Sequence, residues 1–220
     1  MLHILTNSSK PVLQPIERIS EILFGLIMVL TFTCSLSVAD AGRTEVRALL
    51  VGALGCNLAW GIIDAVFYLM DCFAIQGRGI LTLQSLRQVS NPAQAQGLIA
   101  QALPPVLVSV LSASDFELMQ QKLNGIADVP ERPRLNRKDW VGAAGVFLSV
   151  VLATFPVVIP YVLISDVKAA VRVSNGVAIL MLFLAGYAFG KYAGHRPLSM
   201  ATAMVLLGAG LVAITIFLGG

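Results

Sequence analysis

The sequence predicts an all-α membrane protein with five transmembrane helices and a small helical cytoplasmic insertion between helices two and three. Three observations predict it. Of the 220 residues, 57% are hydrophobic and only 12% are charged, about half the charged share of an ordinary soluble domain. The mean hydropathy is +0.82. Five runs, each long enough to cross the ~30 Å hydrocarbon layer, carry one charged residue between them.

The first run, residues 22–39, carries no charge and lacks a convincing A-x-A cleavage site, so it is expected to be a retained helix. The second, residues 48–70, carries only Asp64. The third, residues 140–164, is uncharged and contains Pro156 and Pro160. The fourth and fifth, residues 173–190 and 197–220, are also uncharged. Runs of this length and apolarity suit helices, because a barrel strand needs about 9–11 residues and an alternating pattern. The chain then divides into residues 1–70 with helices one and two, the insertion 71–139, and residues 140–220 with helices three to five.

Lysine and arginine set the expected orientation. Eleven of the 15 fall in the N-terminal segment, the 71–139 segment and the loop before the last helix; the other four, Arg43, Arg47, Lys168 and Arg172, fall on the opposite side. The positive-inside rule places the N-terminus in the cytoplasm and the C-terminus outside.

Within the insertion, residues 80–89 have an amphipathic helical period, Asn91-Pro92 marks a helix start, and Pro104-Pro105 interrupts the next stretch. Ser114 and Glu117 are spaced as a capping box for a helix reaching about Ala127. Asp139 is the expected cap of the third membrane helix, with Trp140 at the interface. Gly186, Gly190 and Gly194 recur every four residues, a stripe that lets another helix approach closely. Contact within one bundle is the simpler reading of that stripe and a subunit interface the alternative. Pro156 and Pro160 predict a packing kink or exposed carbonyls on an ion path.

Enzyme motifs are missing: there is no P-loop, HExxH, CxxC pair or GxSxG. The chain is therefore not expected to be an enzyme. A net charge of +3 without a basic-aromatic stretch argues against nucleic acid. Cys34, Cys56 and Cys72 make no disulfide framework, and His3 and His195 lie in terminal or loop positions. The informative polar residues are in the apolar runs. Asp64 and Asn57 are seven residues apart, hence on one helix face two turns apart, with the small residues Ala53 and Gly61 close to that face. A charged residue at mid-membrane costs roughly 2.5–3.5 kcal/mol on insertion scales, and such residues mark pathways or proton relays. A structural hydrogen-bonding role is the alternative for Asp64. Glu21 begins the first helix, where it either attracts cations or pairs with Arg18.

Ser20-Glu21 followed by ILFGLIMVLTF, GALGCNLAWGII at 52–63, VFLSVVLATFPVVIPYVL at 146–163 and LFLAGYAFGKYAG at 182–194 together resemble the vacuolar iron transporter family over about residues 17–218. The resemblance implies a homodimer in the lipid bilayer that exports Fe²⁺ or Mn²⁺ from the cytoplasm in exchange for protons, with no resident cofactor. It implies Glu21, Asn57 and Asp64 as the metal-handling residues. Two departures stand out. The family's second helix has glutamate where this chain has Asn57, leaving Asp64 as the acid two turns on. The family's insertion is often glutamate-rich, whereas residues 73–127 hold only Asp115 and Glu117. That scarcity supports a second expectation, a non-transporting membrane scaffold or sensor on the same fold.

Overall fold

The computed structural model describes residues 15–33, 43–127 and 129–217. Cys34, His3, Lys10, the 34–39 part of the first apolar run and Gly220 lie outside the described residues. Within them the chain forms eight helices and no strand. These are α1 (Pro15–Thr33), α2 (Arg43–Gln88), α3 (Pro92–Gln101), α4 (Pro105–Val108), α5 (Ala113–Asn124), α6 (Arg137–Leu163), α7 (Val167–Tyr192) and α8 (Pro197–Phe217).

Four helical stretches among the described residues are long and apolar enough to cross a membrane: Val46–Gln88, Arg137–Leu163, Val167–Tyr192 and Pro197–Ile214. They expose large apolar side chains such as Ile62, Phe67, Leu152, Leu184 and Leu206. Surfaces of that kind belong in lipid, so the protein is an integral membrane protein. The second apolar run does not end near Met70. It continues into the amphipathic 80–89 stretch as one helix of 46 residues, because nothing in 71–79 breaks it; Gly77 and Gly79 weaken a helix without stopping it.

The chain separates into two compact units. One is Leu69–Asp139, and the other comprises residues 15–68 and 140–217. The larger unit is built on a core from α1, α2, α6 and α7 that includes Leu26, Val29, Ala53, Val157, Ala178 and Leu182. Its α7–α8 seam explains the glycine stripe. A Cβ on Gly186 would lie 2.9 Å from Ala201 Cα, and one on Gly190 would lie 2.8 Å from Pro197 Cα. Gly186 and Gly190 thus serve close packing within one chain. Gly194 has φ +69°, and the His195 N–H donates to Gly190 O at 2.9 Å; this left-handed turn ends α7 and satisfies its last carbonyls. Helix α6 stays helical through Pro156 and Pro160. Each proline removes a donor from the ladder, and Ser174 Oγ of α7 donates to Val157 O at 2.7 Å within the same stretch.

The smaller unit closes over Leu86, Ala95, Ile99 and Phe116. Asn91 caps α3 through a bond from the Ala93 N–H, with Pro92 in the first turn, as expected from the sequence. The capping box of α5 differs from the expectation. It is Ser112 with Asp115, two residues before Ser114 and Glu117, because Ser112 is the residue with extended backbone that the cap requires. A similar shift occurs at α6: Asn136 Oδ1 accepts from the Lys138 and Asp139 N–H groups, while Asp139 Oδ2 accepts from the Asn136 N–H. Asn136 is therefore the cap and Asp139 its reciprocal partner.

Candidate functional site

The polar residues singled out in the sequence occupy one region of the larger unit. On α2, Asn57 is 1% exposed and Ala53 fully buried, Gly61 is buried, and Asp64 is half-buried. This is the face that the seven-residue spacing implied. It is covered by α1 and α6, and the contacts step regularly along both.

Against α1, Asn57 meets Gly25, the Phe24 and Trp60 rings pack edge to face with centroids 5.6 Å apart, and Glu21 stands within electrostatic reach of Asp64. Numbers fall on α1 as they rise on α2, so the helices are antiparallel. Against α6, Asn57 meets Thr154, Gly61 meets Phe147 and Val151, and Tyr68 packs its phenol against Gly142. These two helices are antiparallel as well. Residues small enough to allow the approach mark each seam. A Cβ on Gly25 would lie 2.6 Å from Val150 O, and one on Gly61 would lie 3.2 Å from the Phe147 ring.

The Asn57 amide has a defined orientation. Its Nδ2 donates to Gly25 O at 3.1 Å and to Thr154 Oγ1 at 2.6 Å. A main-chain carbonyl accepts only, so the NH₂ group must face Gly25. Thr154 Oγ1 lies 3.4 Å from Val150 O, to which it donates, leaving its lone pairs for Asn57. The amide oxygen, Oδ1, is buried and has no partner among the described residues; the same holds for Asp64 Oδ2. Buried oxygens without donors are uncommon, and each one calls for a functional or structural reason.

Glu21 is half-buried on α1, whereas Arg18 is exposed, and the two form no ion pair among the described residues. Sequence reasoning singled out Glu21, Asn57 and Asp64, and the fold brings all three to the α1–α2 seam. It missed Gly25, Thr154 and Tyr68. Gly25 carried a faint signal, one turn from Glu21 on a helix otherwise filled with large apolar residues. Among the described residues no three His, Cys, Asp or Glu side chains gather as a ready-made metal cage.

A bundle of lipid-exposed helices with two carboxylates within electrostatic reach of each other and a buried amide between α1, α2 and α6 defines a polytopic membrane protein with a polar seam. The family model described as the VIT family matches residues 82–220, more than half of the chain. The chain belongs to the VIT family. Membership points to membrane transport of metal ions and not to catalysis. The match begins near the end of α2, so Glu21, Asn57 and Asp64 lie outside it. No curated protein matches the chain.

Proposed function

We propose that this protein is a transporter that exports a divalent metal ion, Mn²⁺ or Fe²⁺, from the cytoplasm, with Glu21 and Asp64 as the carboxylates that carry it. The observation behind this is that α1 and α2 bring two acidic side chains within electrostatic reach inside otherwise apolar segments. Two neighbouring carboxylates repel each other, and a divalent cation between them removes that repulsion and neutralises both. Carboxylate and carboxamide oxygens suit hard cations such as Mn²⁺. Asn57 Oδ1, buried and without a donor among the described residues, supplies the neutral oxygen. When the cation leaves, protons restore neutrality to the pair, which is the chemical basis for cation–proton exchange.

The same reading has five membrane helices, residues 71–139 on the cytoplasmic side, a cytoplasmic N-terminus, an outside C-terminus and a homodimer. The lysine and arginine distribution supports the orientation. The scarcity of acids in residues 73–127 favours a second reading, a membrane scaffold or sensor that does not transport. Flux of Mn²⁺ and Fe²⁺ in proteoliposomes decides between them. Asp64→Asn keeps size and hydrogen bonding but removes the charge, and is expected to insert and fold while losing flux. Glu21→Gln is expected to weaken apparent cation affinity. Wild-type flux in the Asp64→Asn variant would overturn the carrier assignment, and no flux in the native protein would favour the scaffold.

A further inference from the structure

We propose that Thr154 and Gly25, acting through the Asn57 amide, are positioning residues that set the register of α1 against α2 and so hold Glu21 within electrostatic reach of Asp64. This rests on the reading of Glu21 and Asp64 as the cation-carrying pair. The geometry is a three-helix node. Asn57 of α2 donates one bond to the main chain of α1 at Gly25 and another to the side chain of α6 at Thr154. All three positions are buried, with Asn57 at 1% and Thr154 at 0% exposure. Gly25 lies one turn beyond Glu21 on α1, and Asp64 lies two turns beyond Asn57 on α2. On antiparallel helices, fixing Gly25 against Asn57 therefore brings Glu21 to the level of Gly61, one turn short of Asp64, which keeps the two acids within electrostatic reach.

Apolar packing alone specifies that register weakly. Membrane helices have no hydrophobic drive to associate, so directional hydrogen bonds add to close packing in fixing which residues meet. Thr154 has a further effect. With Nδ2 committed to Gly25 O and Thr154 Oγ1, the amide cannot turn over, and Oδ1 stays on the remaining side of the group. One hydroxyl thus governs both the spacing of the acids and the presentation of the neutral oxygen.

The protein carries its own reporter. Trp60 packs against Phe24 across the same α1–α2 seam, between the node and the acids. In a full-length Trp140→Phe background Trp60 is the single tryptophan, and its emission reads the register. Thr154→Val removes the hydroxyl at nearly constant volume. It is expected to change Trp60 emission and to raise the apparent KM for Mn²⁺ in proteoliposomes roughly three- to tenfold, with a smaller change in maximal rate. Thr154→Ser, which keeps the hydroxyl, is expected to restore both. If the Thr154→Val variant fails to insert, Thr154→Ala replaces it under the same readouts.

Emission and KM that stay at wild-type values without the hydroxyl would overturn the proposal. So would a larger effect from Thr154→Ser than from Thr154→Val, which would make the methyl, kept by valine and lost by serine, decisive. If Asp64→Asn and Glu21→Gln both keep normal flux, the carrier reading fails, and Trp60 emission still decides the register claim. If those variants lose flux but the Thr154 variants change nothing, the positioning role alone fails.

Discussion

Asn57 Nδ2 lies 2.6 Å from Thr154 Oγ1, joining α2 to α6 with a hydrogen bond inside the larger unit. The partner of that bond on α1 is a carbonyl, Gly25 O, and a carbonyl cannot donate. The node therefore needs an NH₂ group at position 57.

Asn57→Asp is expected to destabilise the protein. A carboxylate cannot donate to Gly25 O, and an ionised one would be left buried with at most the Thr154 hydroxyl as donor. The loss should be about 1–3 kcal/mol, read as a lower thermal midpoint in detergent by size-exclusion or fluorescence assay. A variant of native stability with tighter Mn²⁺ binding would mean that only the oxygen at position 57 matters.

Glycine substitutions should separate tight seams from open ones. Gly25→Ala puts a Cβ 2.6 Å from Val150 O, and Gly186→Ala puts one 2.9 Å from Ala201 Cα. Backbone must move in both, at a cost of about 1–3 kcal/mol. Gly55→Ala and Gly176→Ala meet nothing within 4 Å and are expected to be neutral or slightly stabilising, since alanine is the better helix former. Thermal midpoints of the four variants test this ordering.

The start of α5 should respond to acid. Hydrogen bonds from the Ser112 hydroxyl and the Ser112 N–H hold the Asp115 carboxyl below its ordinary range. A lowered folded-state value means that its stabilising contribution is present at neutral pH, above the unfolded value, and is lost as pH falls through the folded value. Hydrogen exchange of residues 113–118, relative to the intrinsic amide rate at each pH, should quicken as pH falls in the native chain. In Ser112→Ala it should already be fast at neutral pH, and equal protection in the two proteins would refute the cap.

Position 122 reports orientation. Lys122 is exposed in the last turn of α5. In a chain with its native cysteines replaced, Lys122→Cys is expected to react with a membrane-impermeant maleimide only after the cell membrane is opened. Labelling of intact cells would reverse the topology.

Much of this protein was determined by composition and spacing alone. Long uncharged runs force helices in lipid, because an apolar solvent leaves main-chain donors no other partners. The seven-residue separation of Asn57 and Asp64 put them on one face without any knowledge of neighbours, since helix periodicity is local. Asn91-Pro92 likewise announced the start of α3. Where a helix continues or begins proved less legible. The two expected elements around 71–79 are one helix, and the caps of α5 and α6 are Ser112 and Asn136, because several Ser, Asn and Asp residues compete at each start and backbone conformation selects one. Tertiary structure alone decided which helix each polar face meets. Nothing in ILFGLIM or in VLATF names Asn57 as the partner of Gly25 and Thr154; the partner depends on which helices come together and at what register. The same holds for the Gly186–Gly190 stripe, whose period promised a close neighbour and whose neighbour, α8, became known only from the fold.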